Sequence, residues 1–503
     1  MSGIEMKRYS RHDVGLWMRK YDSIVIGGGL LGCFALRSLA RYRVRAALFE
    51  TREDICTGIS RANTAIVYAG YDNKPGSLKS AMCVSASQSF QKLCRELGVR
   101  YSPCGSLMIC FGERGERVLQ RKFGNGKSNG VRGLALLSRE QVLELEPNLR
   151  SDVYSGLYAP DSGTVIPWEL GQAAAENALN NGGEILLNSR VAGIQRADGG
   201  YCVMTEGARF FTRAVINCAG LSADSVSEMI YAPSVRINRS SGSYYILDTK
   251  TRGFIRHVIF HEPEEKGKGL TLVPTVSGNI LIGPTESPAS DDGFAVSLSD
   301  LRQLRKLVCE VIPSLPLEHI IRSFGAIRPN PVAVGSESKS IHDFCIQESA
   351  SNFISLIGVK TPGLTCADQL GRYTAERVAS HLGADINTEF SPIRQAPIQI
   401  DKLSSANRKR LVDSDPRYGR IVCRCRGITE GEIISAIRRM PGAVTIDGVK
   451  RRTGTCSGRC QGSFCTQRII ELLARELGSD VSGIPKDGAG SYIVRKAGAR
   501  NGI

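Results

Sequence analysis

Two groups of residues have the types and spacing to handle electrons. The first is Gly27-Gly28-Gly29-Leu30-Leu31-Gly32, which follows the β-branched run Ser23-Ile24-Val25-Ile26 and precedes an apolar segment of helical character. A second extended run from Arg45 to Phe49 then closes on Glu50, eighteen residues beyond Gly32. That order reads as strand, tight turn, helix, strand. In such a unit Gly27 permits the turn, Gly29 lets the backbone approach a pyrophosphate, and Gly32 lets helix and sheet pack closely. The first helical N–H groups, from Leu30 and Leu31, then face the phosphates. Glu50 stands where an acidic side chain accepts the adenosine ribose hydroxyls. The glycines alone would mark only a turn; with the strand, the helix and the acid they predict dinucleotide binding. They do not separate FAD from NAD.

The second group is made of cysteines. Cys423-Arg424-Cys425 is followed, after thirty-four intervening residues, by Cys460 and then Cys465. A C-x-C pair and a C-x4-C pair suit a 2Fe–2S cluster held by four thiolates. A zinc site, which favours C-x-x-C knuckles, and a metal-free thiol group are the alternatives. The flanking Arg424, Arg426 and Arg459 would offset the charge of the cluster. Cys456 reads as a spectator thiol.

The elements that must position these groups follow from pattern and capping. Helices are expected from Lys79 to Leu97, Leu170 to Leu179, Leu298 to Val311 and Asp368 to Leu382. Ser138 with Gln141 has the spacing of a helix start, and Thr429-Glu430-Gly431-Glu432 onward to Arg439 reads as a helix with an acidic first turn. Gly105 to Phe111, Gly183 to Ile194, Arg236 to Leu247 and Gly269 to Gly283 read as extended. Ala214 to Gly220 is a buried strand ending on glycine. Ser355 to Thr365 is a strand and a glycine turn that aims backbone N–H groups at a cofactor. Pro392 to Asn407 lacks periodicity and reads as a linker.

With 503 residues the chain exceeds one ordinary domain, and 42% hydrophobic residues supply ample core. No run is long and apolar enough for a transmembrane segment, and no signal-peptide pattern precedes Tyr21. The net charge of +16 is spread along the chain without aromatic interleaving, which argues against nucleic acid and suits an anionic cofactor, an acidic substrate or an acidic partner. Sixteen cysteines without a signal sequence point to a reducing, cytoplasmic compartment.

Taken with Ser60-Arg61-Ala62-Asn63, Ala69-Gly70-Tyr71-Asp72, Lys74 to Lys79, Cys104 to Leu107, Leu145-Glu146-Pro147, Tyr158-Ala159-Pro160, Thr271 to Thr285, Lys360 to Thr365 and Asp447 to Thr453, the chain resembles a known group. This is the FAD-dependent glycerol-3-phosphate dehydrogenase / L-2-hydroxyglutarate dehydrogenase family of the D-amino-acid-oxidase-like superfamily. The resemblance is to the branch with a C-terminal bacterioferritin-associated-ferredoxin-like 2Fe–2S domain. It implies an α/β fold: a Rossmann-like FAD-binding domain, an interleaved α+β substrate domain, and a small helical C-terminal cluster domain. The expected bounds are a basic extension over 1–20, the oxidoreductase over 21–391, a linker over 392–418, the cluster domain over 419–480 and a tail over 481–503.

The resemblance also implies roles. FAD would be held by Gly27, Gly29, Leu30, Leu31, Gly32 and Glu50. Ser60, Arg61, Asn63 and Thr64 would contribute from the loop over the cofactor. Val191, Ala219, Gly220, Gly358, Gly363, Leu364 and Thr365 would close the remaining sides. Arg328 would face the acid group of the substrate, with Lys360, His257 and Tyr68 completing the catalytic set; a surface ion pair is the alternative for Arg328. The cluster would rest on Cys423, Cys425, Cys460 and Cys465.

Departures from the family bear on substrate. Relatives carry Asn-Ser-Gly-Ile-Val-His, whereas this chain has Thr64-Ala65 and, for the histidine, Tyr68. A tyrosine of ordinary pKa near 10 is a poor base at neutral pH. Where relatives carry an arginine pair, this chain has Ser240-Ser241, which weakens the case for phosphate or dicarboxylate recognition. His261 stands where relatives often have glutamine. The expected activity is oxidation of a small acidic hydroxy or amino compound, with hydride passing to flavin and electrons leaving through the cluster to an acceptor protein or second flavoprotein subunit in an oligomer or hetero-complex. The alternative is a non-catalytic electron-transfer or scaffold subunit. No second G-x-G-x-x-G is present, so reduction of a pyridine nucleotide would need another subunit.

Overall fold

The computed structural model describes residues 19–261, 269–289, 294–335 and 340–495. The basic extension lies outside the described residues up to position 18, as does the end of the tail from position 496.

The dinucleotide half is built on the strand Arg19–Ile26, which runs parallel to Ala46–Phe49 on one side and to Arg209–Asn217 on the other. Ile24, Val25 and Ile26 are all buried because both faces of a parallel sheet are covered. Phe353–Ile357 extends the sheet in parallel, and the antiparallel strands Val191–Ala197 and Gly200–Thr205 form one edge. The helix Leu30–Leu39 lies between helices Pro167–Asn180 and Ala367–Leu382, its Phe34, Leu36 and Leu39 buried with Leu170, Ala174 and Leu370. Gly371 allows that contact, since a Cβ there would press on the backbone of Phe34.

The stretch expected to be extended from Gly183 to Ile194 is instead two strands on opposite edges of the sheet, Glu184–Leu186 and Val191–Ala197. Asn188 turns the chain between them with a φ of 52°, and Ser189 N–H donates to the carbonyl of Glu50.

The substrate half is a second, nine-stranded sheet. Its long pair is Val235–Leu247 against Ile320–Ala333, antiparallel, with Ser240 opposite Arg328. The amphipathic helix Leu298–Val311 covers it through Leu304, Val308 and Val311, which pack with Leu247 and Ile282. Its buried Asp300 accepts from the hydroxyls of Ser243, Thr285 and Ser287.

The linker is more ordered than its composition predicts. It carries a helix, Ser405–Ser414, and it is anchored by Arg394, which is buried and donates to the carboxylate of Glu176 at 2.8 Å and to the carbonyl of Leu97 at 3.0 Å. Arg439 of the cluster domain pairs with the same Glu176. The cluster domain packs helices Glu430–Arg438, Ile446–Thr453 and Thr466–Leu477 around Ile433, Val449, Ile469 and Leu473. Thr429 and Glu432 form the capping box that starts the first of them. Ile484, from the segment expected to be tail, joins this core.

Candidate functional site

The fingerprint turn is held by sterics. Gly27 has a φ of 101°, and a Cβ there would collide with the carbonyl of Cys218; a Cβ on Gly32 would collide with the carbonyl of Gly27. A Cβ on Gly29, in contrast, would meet only the Ser60 hydroxyl, at 3.2 Å, and Gly29 lines the adjoining cavity. That hydroxyl accepts from Leu30 N–H at 3.0 Å. Glu50 accepts from Gly28 N–H at 2.6 Å and from Arg52 N–H at 2.9 Å. Burial pushes its carboxyl up, against those backbone donors.

A cavity of about 1010 Å³ runs from this turn to the substrate sheet. Leu31, Asn63 and Thr64 line it, as do Val191, Ala219 and Gly220 from the sheet side and Gly363 and Leu364 from the opposite side. The close-packed glycines, Gly29 at the cavity wall and the acid at the strand end fit the diphosphate and ribose of FAD. Gly32 and Gly358 act behind the wall. Gly358 has a φ of 65°, and a Cβ there would press on Pro331, so it lets the turn carrying Lys360 pack on the long strand. Thr365 is buried, and its hydroxyl accepts from Tyr68 N–H at 3.0 Å.

Tyr68, Arg328 and Lys360 also line the cavity. Tyr68 stacks on Phe260 with ring centroids 5.9 Å apart, and burial pushes its phenol up to about 12. Arg328 donates from Nη2 to the carbonyl of Thr285 at 3.1 Å. Its Nη1 is buried without a hydrogen bond, 3.5 Å from the carboxylate of Glu286. Lys360 Nζ donates to Asn330 Oδ1 at 2.7 Å, and Asn330 donates to the Ser240 hydroxyl at 3.0 Å. Burial lowers the Lys360 pKa, and the nearby Arg328 lowers it further against the pull of Glu286. Ser240 thus positions Lys360 through Asn330. Sequence reasoning missed Asn330, although its place two residues after Arg328 on one strand puts both on one face. Phe260 was missed as well.

Two expected site residues lie elsewhere. His257 is turned away from the cavity, with Nδ1 2.8 Å from Glu146 Oε1 and its ring edge-on to Tyr158. It anchors the substrate sheet because the buried Glu146 also collects the backbone N–H groups of Arg256 and His257. Arg61 also leaves the cavity wall, drawn by an ion pair with Asp487 of the C-terminal segment. His261 contributes to the wall, but its ring is edge-on to Phe111, outside the cavity, with centroids 5.4 Å apart.

In the C-terminal domain five thiols gather. Sγ–Sγ distances are 3.8 Å for Cys423–Cys425, 3.9 Å for Cys425–Cys460 and 3.5 Å for Cys456–Cys465. The nearby Cys465 thiol holds that of Cys423 down, against burial. Gly458 makes room, since a Cβ there would collide with Cys425 Sγ. Among the described residues no three His, Cys, Asp or Glu side chains converge on one ion, and the sulfurs lie as neighbouring pairs. The all-sulfur donor set fits a 2Fe–2S cluster. Arg459 pairs with Asp248 and Gln461 accepts from Arg322, so the cysteine loop touches the substrate sheet.

Residues 22–377 match the FAD dependent oxidoreductase family (DAO), and residues 421–475 match the BFD-like [2Fe-2S] binding domain. The chain is 38% identical over 479 residues to a glycerol 3-phosphate dehydrogenase of Caloramator mitchellensis, covering 94% of this chain and 98% of that one. It is 25% identical to an L-2-hydroxyglutarate dehydrogenase of Escherichia coli, over 73% of this chain and 95% of that protein. The fold matches the FAD-bound, dithionite-reduced L-alpha-glycerophosphate oxidase of Mycoplasma pneumoniae with a TM-score of 0.69 and 24% identity, over 76% of this chain and 100% of that one. The chain belongs to the DAO family of FAD-dependent oxidoreductases, in its glycerol-3-phosphate and L-2-hydroxyglutarate dehydrogenase group, and carries a BFD-like 2Fe–2S domain.

Proposed function

We propose that this enzyme oxidises a small anionic hydroxy compound of the glycerol 3-phosphate or L-2-hydroxy acid type. The observation that carries the reading is Arg328 Nη1, a buried cationic donor without a hydrogen bond at the cavity wall. With Lys360 beside it, the pair offers two positive groups for one phosphate or carboxylate. Glu286 would yield Arg328 to the incoming anion. Bound FAD supplies the hydride acceptor. The residues of the chain orient the carbon to be oxidised: Arg328 and Lys360 hold the acid group, and Tyr68 and Phe260 wall the other side against water. Tyr68 stays protonated at neutral pH, so its hydroxyl donates a hydrogen bond. His261 is the histidine on the wall, and its imidazole, turned from Phe111 into the cavity, would take the proton of the substrate hydroxyl.

A second reading, an amino compound, is favoured by Tyr68. A neutral amine releases hydride without an external base, so a pocket with a phenol in place of imidazole would serve it. In either case electrons would leave through the cluster to a partner protein, and Cys425, the exposed ligand, marks that exit. Anaerobic titration tests the reading by following flavin bleaching. Bleaching by glycerol 3-phosphate or an L-2-hydroxy acid supports it, and bleaching by amino acids alone favours the second reading. A flavin untouched by every compound points to a relay subunit.

A further inference from the structure

The cysteine site holds one thiol more than a four-ligand cluster needs. Cys456 is buried, and its Sγ lies 3.5 Å from that of Cys465, closer than any other sulfur pair given above. It stands four residues before Cys460, so the residue is built into the ligand loop rather than set beside it. Its backbone is costly: Cys456 has a φ of 58°, the left-handed region that a side chain disfavours and glycine tolerates. Across the loop Gly462, with a φ of 95°, leaves the thiol clear, since a Cβ there would lie 3.2 Å from Cys456 Sγ. The chain therefore keeps a thiol in a position suited to glycine, facing a glycine that the turn itself requires and whose added Cβ would press first on the Thr466 hydroxyl.

We propose that Cys456 is an exchange ligand of the 2Fe–2S cluster, able to take the place of Cys465. Its sulfur forms an iron–sulfur bond as that of Cys465 breaks. Cys456 gives up a proton and Cys465 takes one, so the charge of the site and the oxidation state of the irons are unchanged. The proposal rests on the reading of Cys423, Cys425, Cys460 and Cys465 as the resident ligands. An exchangeable fourth position would let the cluster survive chemical loss of Cys465, and would slow its loss to competing chelators.

The test uses full-length protein and measures iron, acid-labile sulfide and the electron paramagnetic resonance of the reduced cluster. Cys465→Ala offers no substitute ligand of its own, and is expected to keep at least half of the wild-type iron and sulfide with a shifted but all-thiolate signal. Cys456→Ser alone keeps the full cluster, and the double variant Cys456→Ser/Cys465→Ala falls below a tenth. Cys465→Ala at the level of the double variant, with FAD content and circular dichroism unchanged, overturns the proposal. Should Cys465→Ala fail to fold, two unaltered-fold measurements decide. Cys465→Ser should show a thiolate-ligated spectrum, and an oxygen-ligated one overturns the proposal. Cys456→Ser should lose its iron to a chelator at least threefold faster than wild type, and an equal rate overturns it. Failure of the underlying ligand reading would look different: Cys456→Ser alone would strip the cluster.

Discussion

Asp54 and Arg452 form a two-point ion pair, with Oδ1 2.7 Å from Nη2 and Oδ2 2.9 Å from Nη1, and Arg451 adds a third contact to Oδ2 at 2.8 Å. Asp54 lies four residues after Glu50, in a loop whose Cys56 N–H donates to the carbonyl of Gly28. Arg451 in turn reaches Asp487, which also holds Arg61. The cluster domain is thus latched to both loops that border the dinucleotide turn.

Breaking this latch should be expensive. Asp54→Asn leaves two arginines facing a neutral amide in a buried place, and a loss of about 3–5 kcal/mol is the scale for removing one partner of a buried pair. Thermal unfolding should show it. Release of FAD in dilute protein should quicken as well, because the loops covering the turn lose their outer support.

The same latch predicts acid sensitivity. Burial pushes the Asp54 carboxyl up, but Arg452 and Arg451 outweigh it and hold the group below its ordinary value. Asp487 is held at about 2 by Arg451 and Arg61, again against burial. Depressed folded values mean that the stabilisation is full above the unfolded pKa of about 4 and drains away as pH falls toward about 2. Urea midpoints measured across that window should fall more steeply for wild type than for Asp54→Asn; parallel slopes would remove these carboxylates as the cause.

Arg328→Lys should raise the Michaelis constant for the true substrate while leaving FAD bound, because lysine cannot offer the planar fork. A hydrogen bond to a charged group sets the scale at about 1.5–3 kcal/mol. An unchanged constant would leave Arg328 with its Thr285 and Glu286 contacts as a structural residue.

Local signals made much of this fold legible, and tertiary ones hid the rest. The fingerprint, the Ser138 cap, the helix after Thr429 with its acidic first turn and the amphipathic Leu298–Val311 depend on neighbours in sequence, and each has its expected form. His257 and Arg61 sit in family-like segments, yet their direction is set by Glu146 and Asp487, which lie 111 and 426 residues away. No local pattern carries that information. The linker misled for a related reason: its buried charged anchor, Arg394, resembles any surface arginine until Glu176 is brought to it.

Tyr68 is the substitution that bears most on mechanism. It is half-buried and stacked on Phe260, its N–H is fixed by Thr365, and its phenol is pushed up to about 12, so it takes no proton from a substrate near neutral pH. An imidazole in the same place would be kept neutral, and therefore basic, by the burial that raises the phenol. General-base help contributes about 10²–10⁴-fold, and part of that range is open to recovery if His261 serves imperfectly. Tyr68→His is therefore expected to raise turnover of glycerol 3-phosphate or an L-2-hydroxy acid above wild type, measured with an artificial electron acceptor. His261→Asn should lower it, and more so in the wild-type background than beside Tyr68→His. If the native substrate is an amino compound, Tyr68→His instead loses activity on it and gains nothing on the hydroxy compounds, because the stack on Phe260 shapes the pocket rather than replacing a base. Indifference of every variant to every compound would leave neither chemistry standing and would assign the flavin to electron relay alone.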